Sequence, residues 1–196
     1  MREAVVVFGA ASRVRPGRVW ATRLARPVRA DYHQAMFLDG LSFLEEEREA
    51  FRPFEALLDL TDQQLGVAVA TAHGWSGRDL MAHLVAWQTD CLAVARELAV
   101  GDTSPRKAAL DADWEARGGE VVNAEIQADW ASRPLSEVRE QFRTVAGELR
   151  GTLTVVPEAR WIKNPDHMRY IVDETLDHYD EHRSDLAAIL AAAGRS

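Results

Sequence analysis

Three histidines stand where the surrounding pattern asks for leucine, and their spacing suits metal or acid–base chemistry. His83 lies three residues after Leu80 and four before Trp87, so it shares their side of a helix. His178 and His182 are one turn apart, on the face that carries Ile171 and Ile189. Two imidazoles so spaced converge on one point. A third from another helix completes a three-nitrogen set with positions left for water or substrate. Catalytic zinc sites are arranged in this way, and nickel or iron accepts the same donors. Plainer readings compete. A buried histidine can stay neutral and hydrogen-bond a neighbour. His178 and His182 also sit among Asp177, Asp180, Glu181 and Asp185, which could hold them in partly exposed ion pairs. Asp79, one turn before His83, could orient that ring or act as a base, or could cap its helix; Glu174, one turn before His178, is an alternative ligand or base. Cys91, Trp87 and Tyr179 read as packing residues, and His33, His73 and His167 as solvent-facing.

The elements that must position these side chains are helical. Phe37, Leu41, Leu44, Arg48, Phe51, Phe54, Leu57 and Leu58 recur at helical spacing, with Pro53 expected to bend the run. Ser76 followed by Asp79 is a capping-box variant that opens a long helix. Its stripe is Leu80, Leu84, Trp87, Cys91, Val94 and Leu98, and Gly101 ends it. Residues 102–120 are mixed, with Trp114 anchoring a short helix, and Val121 to Trp130 reads as helix. Pro134 suits a first helical position, and Leu135, Val138, Phe142, Val145 and Leu149 mark a third long helix. A loop over residues 152–165 carries Trp161, and a final helix covers about 167–193. Thr152 to Val156 is the best strand candidate, with nothing to pair against.

Composition narrows the classes. The 196 residues carry 23 Lys+Arg against 31 Asp+Glu, a formal charge of −8, which argues against nucleic acid as main partner. A single cysteine excludes an internal disulfide, and no apolar run is long enough to span a bilayer. The charge is uneven. Residues 1–35 hold seven arginines against Glu3 and Asp31, whereas residues 36–196 hold 16 basic and 29 acidic residues. The first 35 residues therefore read as a loosely structured basic extension. A secretory signal around Val5-Val6-Val7-Phe8 and a basic arm for anionic partners are the weaker alternatives.

The stretch Gly74 to Trp87, which contains Trp75, Asp79 and His83, resembles the second helix of the DinB-like bundle superfamily, which includes the YfiT-like and mycothiol-dependent maleylpyruvate isomerase-like proteins. The stretch Thr175 to Arg183 resembles the last helix of the ClbS/DfsB branch, written H-Y-x-E-H, here His178-Tyr179-Asp180-Glu181-His182. The resemblance covers roughly Met36 to Leu190. It implies an all-α DinB-like four-helix bundle with long crossover connections over residues 36–196, often dimeric. It also implies a divalent metal, zinc or nickel, on His83, His178 and His182. Some branches, the toxin-resistance member among them, lack the histidine set. Activities in the superfamily include thiol-dependent isomerisation or transfer and hydrolytic self-protection against a reactive genotoxin.

The expected function is a metal-dependent enzyme of detoxification or stress type, acting on a small electrophile by hydrolysis or thiol transfer. A low-molecular-weight thiol such as mycothiol is a candidate cosubstrate, with Asp79 and Glu174 as candidate acid–base groups. The alternatives are a metal-free, small-molecule-binding or self-resistance bundle of ClbS/DfsB type, and a stress-induced bundle whose role is dimerisation or partner contact. The expected partners are a small-molecule substrate and a second copy of the chain, with no nucleic acid and no membrane, in the cytoplasm. A chain beginning at Met36 is expected to keep its melting temperature; a large drop on truncation would show that residues 1–35 are part of the fold.

Overall fold

The computed structural model describes Phe37 and residues 39–195; the basic stretch over 1–35, with His33, lies outside the described residues. Helix α1 (Gly40–Phe51) starts on Asp39, whose carboxylate accepts from the Ser42 N–H at 2.9 Å. Pro53 does more than bend this run, because the chain tightens into 3₁₀ turns over Arg52–Asp59. A single turn, α2 (Asp62–Leu65), follows. The long helix α3 (Gly77–Val100) begins at the Ser76–Asp79 capping box and stops at Gly101, as its sequence predicts.

Residues 102–120 are more ordered than their composition suggests. They belong to a helical pair, α4 (Pro105–Arg117) and α5 (Gly119–Ser132), that packs on α3 and forms the long crossover to α6 (Leu135–Leu153). A Cβ at position 119 would fall 2.2 Å from the Trp114 ring, so the glycine lets that ring lie against the backbone between the two helices. Pro134 is the N-cap of α6, one residue earlier than expected. The Thr152–Val156 stretch is the end of α6 and a turn, and no strand occurs among the described residues.

The final segment departs most from its predicted form. It is two helices, α7 (Pro165–Asp173) and α8 (Leu176–Ala192), with a break at Glu174–Thr175. Thr175 leaves helical backbone (φ −125°, ψ −89°), and its hydroxyl donates to the Ile171 carbonyl at 2.5 Å. Such back-bonding competes with the helix ladder and bends it. The break falls three residues before His178.

Helix α3 packs along α6 on one side and against α8 on the other, and α1 packs against α8. An ion pair between Arg150 of α6 and Glu47 of α1 joins the remaining pair of neighbours. Phe51 meets Phe142 and Tyr179 with ring centroids 5.4 Å apart in both cases. Helix α1 is rotated relative to its predicted stripe: Leu41 and Arg48 are exposed, and Glu47 is buried at 1%. Its partners are the reason. Arg150 Nη1 donates to Oε2 and the Tyr179 hydroxyl donates to Oε1, each at 2.8 Å, and Gln88 Nε2 donates to the Tyr179 oxygen at 2.8 Å. All four bundle helices contribute one side chain. Burial raises the Glu47 carboxyl above its ordinary value, against the opposing pull of Arg150. No helix among the described residues is long and apolar enough to cross a membrane.

Truncating one member of a buried network leaves its partners unsatisfied. Tyr179→Phe is therefore expected to lower the unfolding free energy by about 1–3 kcal/mol in urea titrations. A loss below about 0.5 kcal/mol would show that the network contributes little to stability.

Candidate metal centre

The break before α8 and the long run of α3 bring the three singled-out histidines together. His83 Nε2 and His178 Nε2 are 2.8 Å apart, although 95 residues separate them in sequence. One candidate ligand atom from each of His83, His178 and His182 lies within 4.8 Å of the other two. His83 and His178 are buried and His182 is nearly so. Ring centroids within the trio are 4.7–5.0 Å apart, with the planes steeply inclined to one another. Burial, and then the neighbouring His182, push the His83 imidazole well below its ordinary value. It is therefore neutral at pH 7 and keeps a lone pair, as a metal ligand must. Without an ion, the 2.8 Å contact is a hydrogen bond in which one Nε2–H donates to the other ring's lone pair.

His182 is fixed from behind. Its Nδ1–H donates to Asp185 Oδ2 at 2.9 Å, which leaves Nε2 as its ligand atom. The other oxygen of Asp185 accepts from His73 Nδ1–H, also at 2.9 Å. Burial alone would raise the Asp185 carboxyl, but the hydrogen bonds from His182 and His73 outweigh it and hold the group below its ordinary value. His73 was expected to face solvent. Its side chain is half exposed, yet its ring is tied to a carboxylate that is 2% exposed.

The chain reaches this geometry through a strained turn. His73 has φ +54° and Gly74 φ +78°, and His73 is the one non-glycine with positive φ among the described residues. Such a conformation costs a side-chain-bearing residue about 1–3 kcal/mol and persists where the surroundings enforce it. The turn is closed by hydrogen bonds from the Val69 N–H to the Trp75 carbonyl and from the Gly74 N–H to the Val69 carbonyl, 2.9 Å each. It directs Trp75 inward, where its ring lies 5.0 Å from both His83 and His182. Trp87 flanks His178 on another side at 6.5 Å.

The other sequence candidates fall elsewhere. The Asp79 carboxylate accepts from the Ser76 backbone N–H at 2.9 Å and from the Ser76 hydroxyl at 2.8 Å, so it is engaged at the helix start. Glu174 is buried at the break between α7 and α8 and lines a cleft of about 390 Å³ beside the histidines. Cys91 is buried, and burial pushes its thiol well up. His167 is buried, contrary to expectation, with Nδ1 2.6 Å from the Arg160 carbonyl. The His73–Asp185 pair is what the sequence reading missed. Asp185 already stood among the acids expected to pair with His182, as it does, but nothing local links it to His73.

Residues 44–187 match the family described as the Mycothiol maleylpyruvate isomerase N-terminal domain. The chain belongs to that family, a member of the DinB-like superfamily, and of the two branches its motifs resemble the match falls on this one. No curated protein and no solved structure matches the chain.

The unfolded chain protonates His83 near 6.5, whereas the folded chain does not, so this contribution to stability is complete above about pH 6.5 and declines below it. Metal-free protein is expected to lose unfolding free energy as pH falls below about 6.5, and His83→Gln to flatten that slope. Equal slopes for the two proteins would show that His83 is not held neutral.

Proposed function

We propose that this member of the maleylpyruvate isomerase N-terminal domain family binds one divalent ion, zinc or nickel, on His83, His178 and His182, and acts as an enzyme on a small electrophile by hydrolysis or thiol transfer. The convergence of three imidazoles, two of them in direct contact, is the observation that carries this reading. A tetrahedral ion with ligands at about 2.0–2.1 Å sets donor separations of about 3.3–3.4 Å, between the 2.8 Å of the His83–His178 contact and the 4.8 Å that bounds the trio. The donor set is neutral, and such an ion would supply Lewis acidity that makes a water or thiol nucleophile available at neutral pH.

This chain's own residues have distinct tasks. Asp185 holds His182 in the tautomer that turns Nε2 inward. Trp75 and Trp87 flank the imidazoles and form an aromatic wall against them. Glu174, in the cleft wall at the break that precedes α8, is the proton acceptor we favour; Asp79 is assigned to capping α3. The family description names mycothiol, and this supports a thiol cosubstrate. The rival reading is a metal-free bundle that sequesters a small molecule. It draws on the same 2.8 Å contact, which satisfies both ring nitrogens without an ion.

Metal content separates the two. Protein purified without a histidine tag is expected to carry or take up one zinc or nickel ion per chain, and His178→Ala to abolish uptake. Asp185→Asn is expected to weaken affinity about 10–100-fold by chelator competition while leaving helix content unchanged. Failure to take up metal, with ligand-induced stabilisation indifferent to chelator, would favour the rival.

A further inference from the structure

The cleft beside the histidines has a composition that the metal reading does not use. It lies between α4, α7 and the middle of α3, and Trp87 belongs to both places. The Trp87 ring meets Trp114 at 5.9 Å and His178 at 6.5 Å. The Trp87 indole thus stands between the cleft and the imidazoles. At about 390 Å³ its volume falls in the range of small-molecule sites.

Aromatic walls and negative charge distinguish it. Trp87, Trp114 and Tyr170 provide ring surfaces, and the placement of Trp114 is built into the backbone through Gly119. Five carboxylates line the cleft, on Asp111, Glu115, Asp166, Asp173 and Glu174, against two cations, Lys107 and Arg169. Lys107 is already committed, and Arg169 stands largely exposed at the rim. Lys107 Nζ sits 2.8 Å from carboxylate oxygens of both Asp111 and Asp166, and Arg169 is 3.8 Å from Asp166. With five carboxylates against two cations, an anionic ligand would meet a net negative field. A positive ligand would find both the field and the π faces, which attract ammonium groups by their quadrupole. The cleft already holds one ammonium in this way, with Lys107 Nζ 5.9 Å from the Tyr170 ring centroid. Tyr170 itself is 8% exposed, and its hydroxyl has no hydrogen-bond partner among the described residues. A buried polar group left so is exceptional in a folded protein and marks a place where a further partner would fit.

We infer that this cleft binds a small organic cation, an ammonium group on an apolar or aromatic body, and that the substrate presented to the histidine centre carries such a group. The second half rests on the metal-centre reading; cation binding does not. The test uses the full chain, both chelator-treated and metal-loaded. Tryptophan fluorescence is titrated with benzyltrimethylammonium and, as the charge-reversed control, benzoate. The cation is expected to bind with a dissociation constant of about 1 mM or tighter, more weakly as salt is added, and benzoate not to bind. Trp114→Ala is expected to weaken binding about fivefold or more. Because that change could disturb α4 and α5, the doubly neutralised Glu115→Gln/Asp173→Asn protein is measured beside it and is expected to lose affinity and salt dependence together. Equal binding of benzoate, no binding of the cation, or unchanged affinity in the neutralised protein with its fold intact would overturn the inference. Cation binding without metal uptake would keep the cleft and defeat the metal centre; metal uptake without cation binding would do the reverse.

Discussion

Two imidazole nitrogens 2.8 Å apart, carried by helices that meet nowhere in the local sequence, set the terms for this fold. An apolar interior favours such a pair when one ring donates its Nε2–H and the other accepts it. The requirement fixes the register of α3 against α8, and through it the placement of Trp75, Trp87 and Asp185. Helix α8 meets it by starting afresh at Leu176, which sets its own direction independently of α7.

Two sets of polar groups cross the interior of the bundle. One joins Glu47, Gln88, Arg150 and Tyr179 across the four helices. The other runs from His83 and His178 to His182, Asp185 and the exposed edge of His73. Tyr179 and His178 are neighbours in sequence, so the two sets share α8 and a shift of that helix would disturb both. Three pieces of tight local geometry hold the surrounding parts in place: the left-handed turn at His73–Gly74, the capping box at Ser76–Asp79 and the close approach of Trp114 to Gly119.

Much of this was legible from residue spacing. The apolar stripes of α3 and α6, the cap at Ser76 and the histidines out of place on apolar faces all follow from a period of 3.6. What was not legible depended on partners distant in sequence. Glu47 reads as a surface acid until Arg150 and Tyr179 are seen to meet it, and Arg48 took its place in the predicted stripe. His73 reads as a loop histidine until Asp185 is placed beside it, 112 residues away. The break at Thr175 was hidden because the apolar pattern runs through it; a hydroxyl bonding back to Ile171 leaves no periodic trace. The α4–α5 pair was obscured by Pro105, Gly118 and Gly119, which mark the ends of helices here rather than the absence of them.

X-ray absorption at the metal edge of zinc- or nickel-loaded protein tests the central claim most directly. The account predicts one ion per chain with three imidazole nitrogens in its coordination shell, at about 2.0–2.1 Å for zinc. A shell of oxygen donors alone, or fewer than three imidazoles, would contradict it.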